Sequence, residues 1–347
     1  MGFFFFASTV FGPALAKTDP LERLKTFSEL ASIDLRKLHE GEIRGEPGSL
    51  MSFPNGFWAE TCFAVPLVPE EVARRLQIWN PSLHPTLKAI EFHKVSDPCN
   101  AADFESLSFK SGNHPLRWLL DKSLATTARK SELNLSRAEA QQLGDCVKGK
   151  PAPQVVAACW SKLLLERATA FQRDGFTGVA PYDLSGEKIS PAVHLRGMVR
   201  ERPAVAREFA PLLDQSGVLG EARPVTLKPF HYWGVYEANH RGTLTLGVVY
   251  LLALDDRYQL LDAQYYVSGA YYTSITLYEV WPSQIGEKSG ALVWRGDFFA
   301  APTLAYTKGF ERLAYGTIML QELKKTIRCF QDDISRLPGE EATKPLR

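Results

Sequence analysis

Most of the short patterns that announce a chemistry are missing from this chain. It has no C-x-x-C pair, no His-x-x-x-His, no G-x-S-x-G elbow, no G-x-x-x-x-G-K-[ST] loop and no G-x-G-x-x-G turn. Thioredoxin-like and zinc-site readings, serine hydrolysis, and nucleoside-triphosphate and dinucleotide binding therefore lose their usual signatures. On these grounds neither a cofactor nor a metal ion is expected. A charge excess is missing too: 40 basic residues face 39 acidic ones, for a net +1. That balance leaves no electrostatic footprint for nucleic acid or an anionic lipid surface, so neither is expected as a partner. No apolar run reaches the length of a membrane-crossing helix, about 20 residues.

What is present is an ordinary globular composition, 45% hydrophobic and 23% charged over 347 residues, with ample length to bury a core. The first residues, MGFFFFASTVFGPALA, end in Ala14-Leu15-Ala16 before the chain turns polar. This pattern reads as a secretory segment over residues 1–18 and places the protein in the periplasm or outside the cell. One element of such a segment is lacking, since no Lys or Arg precedes the phenylalanines; retained, the segment would be a buried terminus of a cytoplasmic protein. The cysteines are Cys62, Cys99, Cys146, Cys159 and Cys329. In an exported chain Cys146 and Cys159 are the pair most easily closed; the alternative is five reduced, mostly buried thiols.

Three zones differ in texture. Residues 19–110 read as an opening helix with Leu21, Leu24, Phe27 and Leu30 at helical spacing, then a strand in GFWAETCFAV, a helix opened by Pro69-Glu70-Glu71 with Val72, Leu76 and Trp79 inward, and a strand in LKAIEFHKV. Residues 111–221 are dominated by helical patterns, among them one capped by Ser136 with Glu139 three residues on. Residues 222–336 hold five strand-like runs joined by short connections, which makes an antiparallel meander. They close on Phe310, Leu313, Thr317, Leu320, Leu323, Ile327, Phe330 and Ile334, read as one face of a long helix. Residues 337–347 form a tail. The fold class expected is α+β.

This order resembles the helix-grip folds, the START and polyketide-cyclase-like (SRPBCC) superfamily. The segment CFAVPLVPEEVARRLQIWNPSLHPTLKAIEF is similar to the superfamily's early strand, proline-led acidic helix and next strand. The last five strands and the long helix resemble its remainder, a curved sheet wrapped on a C-terminal helix; the middle zone stands apart as a helical insertion. KPFHYWGVYEANH and AQYYVSGAYY resemble a group of uncharacterised bacterial proteins that look exported, a likeness that implies no function. What the superfamily resemblance implies is a cavity between sheet and helix for a lipid, sterol or polyketide-like apolar molecule. The insertion would gate that cavity or dock a protein partner.

The residues themselves permit such a wall. Tyr265-Tyr266 and Tyr271-Tyr272 flank Ser268-Gly269. If that dipeptide is a two-residue turn, Tyr266 faces Tyr271, Tyr265 faces Tyr272, and one pair points inward; a long strand with a glycine bulge is the competing geometry. Tyr232, Trp233, Tyr236 and Arg295 complete the candidate ligand-binding set, the rings supplying apolar area and the polar tips orienting a ligand. Plain core packing explains each aromatic equally, and an ion pair with Asp297 explains Arg295. A different class of reading is an enzyme of cyclase, aromatase or hydrolase type with His231 as general base. A third is a structural or interaction protein with a filled core.

Overall fold

The computed structural model describes residues 19–336 apart from 31, 54, 110–112, 185, 220–226 and 286–287. The expected secretory segment and the C-terminal tail lie outside the described residues.

The elements follow the sequence pattern closely. Two short helices, α1 (Pro20–Leu24) and α2 (Leu35–His39), precede β1 (Arg44–Pro47) and β2 (Gly56–Val65), then α3 (Pro69–Ile78) and β3 (Ala89–Val95). Pro69 occupies the first turn of α3 with Glu70 and Glu71 beside it, as a missing N–H and the helix dipole favour. The middle zone holds α4 (His114–Leu124), α5 (Arg137–Val147) and α6 (Pro153–Asp174), a small hairpin of β4 (Tyr182–Leu184) and β5 (Glu187–Ile189), then α7 (Pro191–Arg200), α8 (Pro203–Glu208) and α9 (Ala210–Gln215). Ser136 and Glu139 form the reciprocal cap of α5 that the spacing predicts. The Cys146–Cys159 disulfide, with Cα atoms 6.1 Å apart, ties α5 to α6. The meander is β6 (Phe230–Ala238), β7 (Arg241–Ala253), β8 (Tyr258–Val267), β9 (Thr273–Ile285) and β10 (Lys288–Ala300), and α10 (Gly309–Ser335) follows.

Eight strands form one antiparallel sheet in the order β1-β2-β10-β9-β8-β7-β6-β3. Alternation along each strand sends side chains to two faces. The back face carries Trp58, Trp233, Leu246, Leu277 and Trp294, packed into one core with α4–α7 and α9. The front face carries Phe63, Val65, Leu260, Val280 and Val293 against α3 and the C-terminal half of α10, where Ile327, Phe330 and Ile334 are buried.

The N-terminal half of α10 departs from the expected stripe. Phe310 is 82% and Leu313 62% exposed, and Thr317 is exposed as well. Stepping back from Ile334 by sevens gives Ile327, Leu320 and Leu313, and a straight helix rotates by about 20° per heptad, so three heptads carry the stripe off the sheet. Tyr315, Gly316 and Met319 face inward there instead. Accordingly α10 runs along β1 and β2 and leaves the middle strands to α3.

Candidate functional site

Between α3 and the first half of α10 the front face changes composition. Reading β8 by alternate residues gives Tyr258, Leu260, Asp262 and Gln264; β9 gives Tyr278, Thr276 and Ser274; β10 gives Val293, Arg295, Asp297 and Phe299. The register lines these up into cross-strand rows, Asp262 beside Thr276 beside Asp297, and Leu260 beside Tyr278 beside Arg295. Adjacent strands thus present their polar residues side by side, as cross-strand neighbours must.

These groups bond to one another. Tyr232 Oη donates to Asp262 Oδ1 at 2.7 Å. Arg295 grips Asp297 in two bonds of 2.8 and 2.7 Å, and Thr276 Oγ1 donates to the same carboxylate at 2.9 Å. Tyr271 Oη and Ser274 Oγ both donate to Gln264 Oε1. The Arg295 guanidinium also lies 5.4 Å from the centre of the Tyr278 ring. Two glycines make room for rings on this face: a Cβ at Gly247 would sit 2.1 Å from the Tyr232 ring, and one at Gly234 would sit 2.8 Å from Tyr236.

Depth shows in the ionisation. Burial pushes the Asp262 carboxyl up to about 6, against the opposing pull of the Tyr232 hydrogen bond and Arg295. Burial likewise holds the Tyr236, Tyr271 and Tyr278 hydroxyls above their ordinary range. Burial draws the Arg295 guanidinium down, but Asp297, Tyr278 and Asp262 together outweigh it and keep that group above its ordinary value. Yet Tyr236, Asp262, Gln264, Tyr271, Tyr278 and Arg295 all retain partial solvent exposure, whereas Trp233, Leu246 and Trp294 on the back face have none. These half-exposed polar and aromatic side chains form a strip over β8–β10, flanked by Tyr315, Met319 and Leu323 of α10, and that strip is the floor of a candidate groove.

The nine candidate residues divide between the faces. Tyr232, Tyr236, Tyr271 and Arg295 belong to the groove. His231, Trp233, Tyr265, Tyr266 and Tyr272 point to the back. There His231 packs edge-on against Phe171 at 6.0 Å, and Trp233 stacks on His93 at 4.4 Å and donates to the Asp103 carbonyl at 2.7 Å. Tyr265 stacks on Phe171 at 3.8 Å, Tyr266 lies under the Arg167 guanidinium at 4.1 Å, and Tyr272 meets His194 at 5.4 Å.

The two-residue turn is not formed, and the tyrosines do not sort into the expected inward and outward pairs. β8 ends at Val267 and β9 begins at Thr273, and a register shift opposite Leu246 and Gly247 leaves Tyr265 as an extra residue, so alternation breaks there. Asn134 pins the connection by donating to the Val267 and Tyr271 carbonyls, while the Tyr182 hydroxyl bonds Val267 N–H and the Tyr272 carbonyl. Only Tyr271 of the four reaches the front.

Asp262, Gln264, Thr276, Tyr278 and Asp297 were absent from the sequence-based set. The signal for them was available as polar residues at every second position of strands whose other face is mostly apolar, Gln259, Thr273 and Glu279 being its polar members. No group of three or more His, Cys, Asp or Glu suited to a metal ion occurs among the described residues, and no helix among them is long and apolar enough to cross a membrane. No described protein family, curated protein or solved structure matches the chain.

Proposed function

We propose that the protein binds or carries an apolar small molecule with a few polar groups, of lipid, sterol or polyketide-like character, in the groove between the sheet and α10. One observation carries this reading: three strands place charged and hydroxyl side chains deep in the sheet's front face while leaving them partly accessible to water. A filled core would take apolar residues at those positions, because buried polar groups cost stability unless satisfied. Rings for area and a few polar groups for orientation are what small-molecule sites use. The strand order β2-β10-β9-β8-β7-β6-β3, with α3 after β2 and α10 after β10, supports a helix-grip architecture. On that view β1 is an added edge strand, and residues 111–221 are an insertion that backs the sheet on the side away from the groove. The Cys146–Cys159 disulfide supports an oxidising compartment, hence the periplasm or the exterior.

The test is native mass spectrometry of the purified chain, followed by organic extraction and uptake of a fluorescent lipid. A copurified apolar molecule, displaced by the probe, is the expected result. An empty protein that also fails to take up probe would refute the carrier reading.

A second reading has its own support. Asp262 is a carboxyl poised near pH 6 in contact with the Tyr232 hydroxyl, which is the range a general acid or base requires. His231, the base expected from sequence, lies on the opposite face of the sheet from that groove. Turnover of the bound molecule that Asp262→Asn abolishes while binding persists would establish an enzyme; turnover unchanged by that substitution would remove the case.

A further inference from the structure

Where β2 begins, residues 47–51 and the first turns of α10 enclose a second cleft of about 210 Å3. Trp58 in its wall is only 1% exposed, and its indole Nε1 is a donor without a hydrogen-bond partner. That nitrogen lies against Gly48, also in the wall, where an added Cβ would sit 1.8 Å from it. Trp281 Nε1 and several other buried polar atoms also lack a partner, but the Trp58 indole belongs to the wall of a cleft, where an acceptor would offset the cost of leaving that donor unmade. Arg312 lines the same cleft and spends its guanidinium on two neutral acceptors, the carbonyls of Leu304 and Gly56; among the described residues no carboxylate pairs with it. Glu29, at the far edge of the loop, is occupied by Ser49 and Arg202, and Glu311 in the first turn of α10 is exposed. Gly309, also in the wall, opens this 27-residue helix, and its N-terminal turn has no side-chain cap, which adds an anion-favouring dipole end. The remaining surface is apolar: Met51 and Phe57 are buried, Leu50 and Leu313 exposed at the rim.

We propose that this cleft binds a small amphiphilic carboxylate, its head between Arg312 and the Trp58 indole N–H at the start of α10, its short hydrocarbon chain along Phe57, Met51 and Leu313. One uncompensated guanidinium and one indole donor suit a monoanion. The volume lies below the 300–1,000 Å3 or so of pockets for drug-sized ligands, which selects a short chain. The cleft sits at the start of β2 and shares none of the polar side chains over β8–β10, so the inference stands or falls independently of the carrier reading.

Isothermal titration of the full chain with octanoate, octanol and acetate tests it. Octanoate should bind saturably, and the uncharged alcohol and the chainless acid each about tenfold or more weaker. Trp58→Phe and Arg312→Met should each weaken octanoate by about tenfold. Leu313→Glu, on an exposed side chain that the fold does not need, should abolish binding by setting a carboxylate at the mouth, while Tyr236→Ala in the groove should leave octanoate unaffected. Equal binding of octanol and octanoate, absence of octanoate binding, survival of binding in Leu313→Glu, or its loss in Tyr236→Ala would overturn the proposal.

Discussion

The two faces of one sheet are covered by very different means. On the back, helices from the middle zone close a core in which Trp58, Trp233, Trp281 and Trp294 are each at most 1% exposed. On the front, among the described residues, the helices are α3 and α10, and they seal one end, where Ile327, Phe330 and Ile334 lie. The strands are the same; the alternation of their residues decides what each face can support. Apolar positions draw helices into contact, and rows of Asp, Gln, Arg and Tyr hold them off, because a helix laid over those rows would have to satisfy every polar atom it dehydrated. Under the proposed carrier function, stability comes mainly from the back and binding from the front.

The sharpest way to break that assignment is to cut a large ring from the back. Trp233→Ala removes a fully buried indole and orphans the Asp103 carbonyl, so unfolding in urea should show a loss of about 3–5 kcal/mol. A loss below about 1 kcal/mol would mean the back core is not the stabilising one. Next in size is the sealed end of the front. Ile327→Ala should cost about 2–4 kcal/mol, whereas Leu313→Ala, two heptads earlier on the same helix and 62% exposed, should change stability by less than about 0.5 kcal/mol. Equal losses at the two positions would show that α10 is clamped along its whole length, and the groove reading would fail.

A pH experiment probes the groove itself. The Asp262 carboxyl is raised by burial from 3.8 to about 6. Below the unfolded value both states are protonated; as pH climbs from about 4 to about 6 the unfolded chain releases this proton and the folded chain resists, so stability falls across that window and then levels. A shift of this size corresponds to about 3 kcal/mol as an upper figure. Glu60 and Glu279 on the back face are also raised by burial, so the informative quantity is the difference between the wild type and Asp262→Asn. The variant should lose about 1–3 kcal/mol of that decline. Superimposable stability profiles would place Asp262 in open solvent.

Much of this architecture was legible in the residues. GFWAETCFAV is β2 residue for residue, YQLLDAQYYV is β8, and Ser136 with Glu139 marked the start of α5. Local patterns carry such information because strand propensity, capping and turn chemistry act over a few residues. The site was only half legible. Tyr232, Tyr236, Tyr271 and Arg295 were flagged by type, but which face a tyrosine occupies depends on register. The register here is reset by an extra residue at Tyr265 and by Asn134 and Tyr182, which reach the β8–β9 connection from far along the chain. Asp262 and Gln264 were overlooked, and Asp297 was read only as an ion-pair partner of Arg295, which it is, because motifs are defined by reactive types in sequence, whereas the meaning of these residues comes from standing in adjacent rows on three strands. The exposed Phe310 and Leu313 were misplaced by treating a heptad as a straight-helix repeat.

The smallest expected effect bears most directly on the contrast between the faces. Tyr236→Phe and Tyr278→Phe together remove two hydroxyls from the groove floor and keep both rings, so stability should change by no more than about 1 kcal/mol. If those hydroxyls serve a ligand, affinity for whatever the chain copurifies with should fall by about three- to tenfold for each hydrogen bond lost. The diagnostic is therefore the ratio of the two effects, measured by thermal unfolding and by probe displacement on the same sample. A stability loss approaching that of Trp233→Ala, without change in uptake, would mean the hydroxyls are locked into a closed core, and the front face would be a second interior of the same kind as the back.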